Sequence, residues 1–244
     1  MREAIVITGG NGFLGSYLCR QFSKKYKVYC IDINLNDNYK KKELIKINCD
    51  ITKKNTLKNK IDFIKRQNSI IHIINNAALD AVPKDIELKD DETKLLDQLL
   101  VSFIGAQNII EFFSDKICKA KYGSIINIGS DLSVLAPNQE IYRGVYKNFK
   151  KPLDYSLAKH GLIGLNKYYA ALYAKYNIRV NMVSPAPIAN KQKKNLIKNL
   201  EKQIPMKKLA EKKDVFELIN FLISKNSKYI TGQNILIDGG RSII

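Results

Sequence analysis

Thr8-Gly9-Gly10-Asn11-Gly12-Phe13-Leu14-Gly15 joins a short β-branched run at residues 4–7 to a helix-like segment at 15–24. Glycines at such a junction permit a tight turn and let the backbone approach a pyrophosphate. The helix that follows offers free N–H groups and a partial positive charge. A glycine cluster alone is also what an ordinary strand–helix turn looks like. Its place at the first such junction points to a dinucleotide, with Gly9, Asn11, Gly12, Phe13, Leu14 and Gly15 as the contacting residues. Asp32 ends the second apolar run, 17 residues past Gly15 (32 − 15). A carboxylate there accepts ribose hydroxyls and repels a 2′-phosphate. Ile33-Asn34-Leu35-Asn36 brings nothing basic, so NAD is favoured over NADP. Asp50-Ile51 ends a third run and reads either as the cap of an adenine pocket or as a helix N-cap region.

Outward from the turn, strand-like runs at 4–7, 28–33, 43–49, 69–74, 124–128, 179–183 and 235–237 alternate with helix-like segments. The latter cover 15–24, 55–66, 94–114, 155–176 and 213–223. Alternating strands and helices with continuously apolar strands predict an α/β fold: a doubly wound parallel sheet of about seven strands, helices on both faces. One domain spanning 1–244 is expected, since 244 residues suit a single α/β unit. Residues 136–154 and 185–208 are polar, contain prolines and follow strand ends. They are expected to be irregular loops covering a substrate, because ligands of open parallel sheets bind at the carboxyl ends of the strands.

Lys+Arg is 41 against Asp+Glu at 23, a formal net charge of +18, and 35 of the 41 are lysine. Such a charge invites nucleic acid or an anionic membrane as partner. The basic groups at 40–42, 147–151 and 191–208 are spread out and interleaved with Asn and Ile, not with aromatics and arginines. They read as solvated faces, with at most a steering role for an anionic cofactor and substrate, so neither nucleic acid nor membrane is expected. No run approaches the ~18 apolar residues of a membrane span. The N-terminus passes straight into an apolar strand, which is not the pattern of a signal peptide. Cys19, Cys30, Cys49 and Cys118 form no CxxC pair and read as reduced thiols of a cytoplasmic protein. His72 and His160 are read as packing or surface residues, and no metal site is expected.

Tyr155 and Lys159 lie four apart in a helix-like segment and so share one helix face. An ammonium beside a phenol stabilises the phenolate, which suits the pair to proton transfer in a carbonyl–alcohol interconversion. Tyr-x-x-x-Lys alone is common and also describes a solvated helix face. Ser130, just beyond the run at 124–128, has a hydroxyl suited to a substrate oxygen.

The glycine turn, Asn75-Asn76-Ala77-Ala78, Ser130, Tyr155, Lys159 and the terminal Tyr229-Ile230-Thr231-Gly232-Gln233-Asn234-Ile235-Leu236-Ile237-Asp238-Gly239-Gly240 occur in one order. The whole chain thereby resembles the short-chain dehydrogenase/reductase family, in its classical branch. The resemblance implies a single Rossmann domain and NAD(P)-linked redox chemistry. It implies Tyr155 as acid/base, Lys159 as ribose ligand and tuner of Tyr155, Ser130 as orienter of the substrate, and Asn76 and Ala77 on the cofactor side. It also implies a homodimer or homotetramer, with the helices at 94–114 and 155–176 between subunits.

Departures from the family pattern stand beside this. Phe13 occupies the place of a glycine, and TGGNGFLG has the spacing of the extended, sugar-nucleotide branch. Ser102 stands where the family carries a proton-relay asparagine. Pro185-Ala186-Pro187-Ile188 replaces the usual Pro-Gly, leaving Pro185 and the Ile188 backbone to meet the nicotinamide. Ser130 and Tyr155 are 25 positions apart (155 − 130), where about a dozen is usual in the family. The inserted stretch, 136–152, resembles that of flagellin-modification and legionaminic-acid-type surface-sugar reductases. It implies a phosphorylated or nucleotide-linked sugar, with Arg143 placed for an anion and Tyr142 either stacking on a sugar or anchoring the loop. The alternatives are a 3-oxoacyl carrier-protein reductase and, from another class, a catalytically silent dinucleotide sensor or scaffold.

Overall fold

A computed structural model describes residues 3–35, 42–67, 71–79, 83 and 92–244. Seven strands form one all-parallel sheet: β1 (Ala4–Thr8), β2 (Lys27–Asp32), β3 (Leu44–Asn48), β4 (Ile71–Asn75), β5 (Gly123–Ile128), β6 (Ile178–Pro185) and β7 (Asn234–Ile237). Their order is β3-β2-β1-β4-β5-β6-β7. The order reverses between β1 and β4, and there the carboxyl ends of neighbouring strands diverge into a crevice. β1, β4, β5 and β6 are buried along their whole length, as their mostly apolar residues permit. β3 is an edge strand and mostly half-exposed, so its lysine is tolerated.

Helices α1 (Phe13–Phe22), α2 (Lys54–Gln67), α3 (Glu92–Leu99), α4 (Ala106–Ala120), α5 (Leu153–Ala174), α6 (Lys194–Lys202) and α7 (Lys212–Ile223) complete the fold. Two apolar cores result, one on each face of the sheet. One gathers Leu57, Ile61, Ile109, Phe113 and Tyr169; the other gathers Leu18, Phe22, Val215, Ile219 and Leu222. Among the described helices, the continuous segment Leu95–Ala120 is long and apolar enough to cross a membrane. Ile109, Ile110, Phe113 and Ile117 of that segment are buried in the first core, which accounts for its apolarity.

The expectations hold for the sheet and need correction in three places. The strand expected at 69–74 runs from Ile71 to Asn75, and residues 69 and 70 lie outside the described ones. The helix expected at 94–114 is interrupted by a π-helical turn, Leu100–Gly105, and continues to Ala120. Residues 136–154 and 185–208 are not simply irregular. The first holds a 3₁₀ turn, Gln139–Tyr142, and the second holds α6. Leu196, Leu200 and Ile204 of the second pack with Ile141, Tyr142 and Phe149 of the first in a third, smaller apolar cluster. The i, i+4 spacing of Leu196 and Leu200 was the legible signal, hidden among lysines and asparagines.

Candidate active site

At the β1–α1 turn, Gly9 has φ +61°, and a Cβ on it would lie 2.8 Å from Ala77 Cα. A Cβ on Gly15 would run into the Gly9 carbonyl oxygen. The turn is therefore closed on its inner side by backbone and by the Asn76 amide. Asn76 Nδ2 donates to the carbonyls of Thr8 (3.1 Å) and Gly9 (3.0 Å). Thr8 Oγ1 in return accepts from the N–H groups of Asn76 and Ala77. Asn76 thus binds the turn to the end of β4, and its role beside a cofactor is to hold the turn. Gly12 is the N-cap of α1 and brings no side-chain cap, so the first-turn N–H groups of Phe13 and Leu14 are not covered by a capping side chain.

Asp32 accepts from the backbone N–H of Asn11 (2.9 Å) and of Asn34 (3.0 Å). Its carboxylate has four lone-pair sites, so two remain for hydroxyl donors. Asp50 is held by Thr52, whose N–H and Oγ1 both donate to it. Asn108 of α4 donates to the Ile51 carbonyl at 2.9 Å and locks that wall. Gly9, Gly12, Phe13, Leu14, Asp32, Asp50, Ile51, Asn76, Ala77, Pro185 and Ile188 line one continuous cleft of about 840 Å³. Asn11 and Gly15 act behind its wall. The cradle fits a dinucleotide: a side-chain-free turn under a helix N-terminus, with a carboxylate at the end of β2.

Ser130, Tyr155 and Lys159 line the same cleft. Pro152, in extended backbone, is the N-cap of α5, which begins at Leu153. The buried face of α5 runs through Ala158, Leu162, Asn166, Tyr169 and Tyr173, and this sets Tyr155 and Lys159 toward the cleft. Lys159 is buried; its Nζ donates to the Ile128 carbonyl (3.0 Å) and sits 5.6 Å from the Tyr155 ring centre. Ser130 Oγ donates to Asp131 Oδ1 (3.1 Å) and accepts from Leu132 N–H (3.2 Å).

Asp131 and Arg241 form a buried ion pair at 2.6 Å on the cleft wall, and Arg241 Nη2 also donates to Gln203 (2.9 Å). Burial pushes the Asp131 carboxyl up, and Arg241 and the Ser130 hydroxyl pull it back. Lys151 Nζ lies 3.8 Å from the Tyr155 ring centre. Asp131, Arg241, Lys151 and Asn108 escaped the sequence reading. Arginine was the available signal: in a lysine-biased chain, Arg179 and Arg241 are the buried ones among the described residues, each with several oxygen partners.

Of the two substrate contacts expected on the inserted stretch, Arg143 is placed differently. The Arg143 side chain is 83% exposed, 3.4 Å from Glu140, and does not line the cleft. Tyr142 is buried with its ring 4.7 Å from Phe149; it anchors the inserted stretch while touching the cleft edge. Ser102 is buried in the π-helical turn, accepts from Gln98 Nε2 (3.2 Å) and stays behind the cleft wall. Ile188 closes the far wall; its carbonyl accepts from Gln192 Nε2 (2.8 Å).

Comparison with known proteins places the chain by sequence and by fold. A family model described as enoyl-(acyl carrier protein) reductase matches residues 32–242. The chain is 31% identical to a 3-oxoacyl-[acyl-carrier-protein] reductase of Buchnera aphidicola subsp. Baizongia pistaciae, over 98% of this chain and 97% of that protein. It is 29% identical to post-translational flagellin modification protein A of Campylobacter coli, over 98% and 97%. A short chain dehydrogenase from Leptospira borgpetersenii, solved with bound NAD+, superposes with a TM-score of 0.85 at 27% identity, over 99% of this chain and 93% of that one.

Proposed function

This chain belongs to the short-chain dehydrogenase/reductase family, and from that premise we propose that it interconverts a hydroxyl and a carbonyl on a small polar, sugar-derived substrate, using NAD. The observation that carries the reading is that Ser130, Tyr155 and Lys159 open onto the same cleft as the glycine turn and Asp32. Intact catalytic residues in one cleft also weigh against a silent sensor or scaffold. The bound dinucleotide supplies or accepts the hydride. Gly12, Phe13 and Leu14 would hold its pyrophosphate, Asp32 and Asp50 its adenosine half, and Lys159 and Ile188 its nicotinamide half. Asp32, a carboxylate with no cation beside it in sequence, supports NAD over NADP.

Tyr155 is the proton donor in reduction and the acceptor in oxidation. The buried Lys159 ammonium near its ring stabilises the phenolate and so eases the transfer. Ser130 orients the reacting oxygen, and its own hydroxyl is held by Asp131. A 3-oxoacyl thioester is the second reading, supported by the 31% identity to the Buchnera protein. The inserted stretch at 136–152 and the likeness to the flagellin-modification protein support the sugar.

A panel of phosphorylated and nucleotide-linked sugars and 3-oxoacyl thioesters, followed by nicotinamide absorbance with NADH and NADPH, separates the two substrates and the two cofactors. Tyr155→Phe should keep NADH binding and lose about 10²–10⁴-fold in kcat. Turnover that survives in Tyr155→Phe removes Tyr155 from its role.

A further inference from the structure

Ser130 is the N-cap of a 3₁₀ turn, Asp131–Ser133, that follows β5 closely. The Leu132 N–H, which also faces the Asp131 carboxylate, reaches the Ser130 hydroxyl at 3.2 Å. Asp131 Oδ1 supplies the second contact, accepting from that hydroxyl at 3.1 Å. Asp131 is itself fixed at both ends. The N–H groups of Val134 and Leu135 donate to its carbonyl at 3.1 Å, and Arg241 Nη1 donates to its Oδ2 at 2.6 Å. Each carboxylate oxygen thus has its own partner, the serine on one and a guanidinium on the other. Arg241 arrives from beyond β7. It opens a 3₁₀ turn whose N-cap is Gly240 at φ +87°. Asp238 braces that turn by accepting from the N–H groups of Gly240 (3.0 Å) and Ser242 (2.7 Å). The turn lies against the end of α6. A Cβ on Gly239 would stand 2.7 Å from Ile204, and the Gly239 carbonyl accepts from Met206 N–H at 3.1 Å. Gln203, the C-cap of α6, accepts from Arg241 Nη2 at 2.9 Å. The guanidinium therefore joins the end of α6 to the carboxylate that holds Ser130. Asp131 and Arg241 are both buried. A buried ion pair contributes little net stability over apolar side chains of similar volume. What it contributes here is direction, because a planar guanidinium orients the carboxylate it meets.

We propose that Asp131 and Arg241 are positioning residues for the reaction: together they hold the Ser130 hydroxyl at the reacting oxygen, and Gln203 fixes Arg241 from α6. This rests on the oxidoreductase reading above, in which Ser130 meets the substrate. A group that touches the reacting atoms keeps its geometry only when a supporting shell locks it. Loss of the pair therefore slows the chemical step. NADH binding draws on the glycine turn and Asp32 and is spared.

The test combines Asp131→Ala with Arg241→Met, which removes the pair without leaving a lone buried charge, in the wild-type and Ser130→Ala backgrounds. NADH binding is followed by fluorescence, and turnover with ethyl acetoacetate and with dihydroxyacetone phosphate. In the wild-type background kcat should fall about 10–10²-fold while the NADH Kd stays within about twofold. In the Ser130→Ala background the same two substitutions should change kcat by less than about twofold, because the group they position is already gone. Asp131→Asn, whose amide still reaches both Ser130 and Arg241, should recover most of the loss. Equal losses in the two backgrounds mean that the pair only supports the fold, and overturn the proposal. Should the combined variant not fold, Arg241→Lys, which keeps the charge and loses the two-armed fork, goes through the same comparison. If neither compound is turned over, or Ser130→Ala is too slow to measure, crystal structures decide. Ser130 Oγ should sit on Asp131 in the wild type and move by about 1 Å or more in the variant. An unmoved Oγ, or a wild-type Ser130 without the Asp131 contact, overturns the proposal. A wild type that binds no NADH defeats the oxidoreductase reading instead, and the same structures still report the place of Ser130.

Discussion

Arg241 commits both ends of its guanidinium to the cleft wall, one to Asp131 and one to Gln203. Asp131 in turn takes the Ser130 hydroxyl proton as a hydrogen bond. The chain of contacts holds the hydroxyl of the serine proposed to meet the substrate, from a residue near the C-terminal end of β7. Removing one partner of a buried pair costs far more than the pair contributes, because an uncompensated charge stays behind. Arg241→Met should therefore lose about 3 kcal/mol at pH 7 by urea denaturation. The sign of its pH dependence follows from Asp131. Burial holds this carboxyl above its ordinary 3.8, so the folded protein takes up the proton more readily than the unfolded chain. The cost of the lone carboxylate vanishes on acidification toward that ordinary value and grows as pH rises through the raised one. The deficit of Arg241→Met against the wild type should shrink on acidification; a deficit constant with pH would mean that lost packing, not charge, is responsible.

Among the elements, α6 and the inserted stretch behave as a unit. Leu196, Leu200 and Ile204 meet Ile141, Tyr142 and Phe149 in a cluster separate from the two cores. Asn199 Nδ2 to the Ile141 carbonyl (2.9 Å) and Lys193 Nζ to the Val145 carbonyl (3.0 Å) tie the two segments further. A small separate cluster opens more easily than the sheet it covers. Leu200→Ala removes a buried side chain worth about 2–4 kcal/mol of packing. The loss should appear as faster amide hydrogen exchange over 139–149 and a higher KM for the carbonyl substrate, with the exchange of β1, β4 and β5 unchanged. Acceleration spread evenly over the sheet would show that the cover is not a separate cooperative unit.

At the scale of the whole molecule, some of the exposed apolar side chains among the described residues fall on two neighbouring helical segments. Leu96, Leu100 and Ile104 are exposed on α3 and the π-helical turn, Leu100 also at the cleft, and Leu157, Tyr168 and Leu172 are exposed on α5. Exposed stripes on two long neighbouring helices fit the homo-oligomer expected from the resemblance. Gel filtration should give a dimer or tetramer, and Leu96→Glu with Tyr168→Glu should shift it to a monomer. Copies carrying +18 each repel, so added salt should tighten the assembly. A wild-type monomer at all salt concentrations would refute it.

What the sequence by itself determined is what consecutive residues can encode. The β-branched, mostly apolar runs of β1, β2, β5 and β6, the glycine turn with its following helix, and the four-residue spacing of Tyr155 and Lys159 are local patterns, and the fold class follows from the alternation of strands and helices. The order of strands then carries Ser130 to the same crevice as Tyr155 and the turn. Tertiary structure alone decided the rest. Asp131 and Arg241 are 110 positions apart and meet because they follow β5 and β7, which flank β6. The π-helical turn around Ser102 leaves no mark in the periodicity of its own segment. Lys151 looks, in sequence, like its solvated neighbours Lys147 and Lys150; in the fold its backbone is clamped by Gln139 and its ammonium lies near the face of Tyr155. The physical reason is common to all three. A side chain's charge and shape are written at its own position, but its partner is chosen by the packing that brings distant segments to one place.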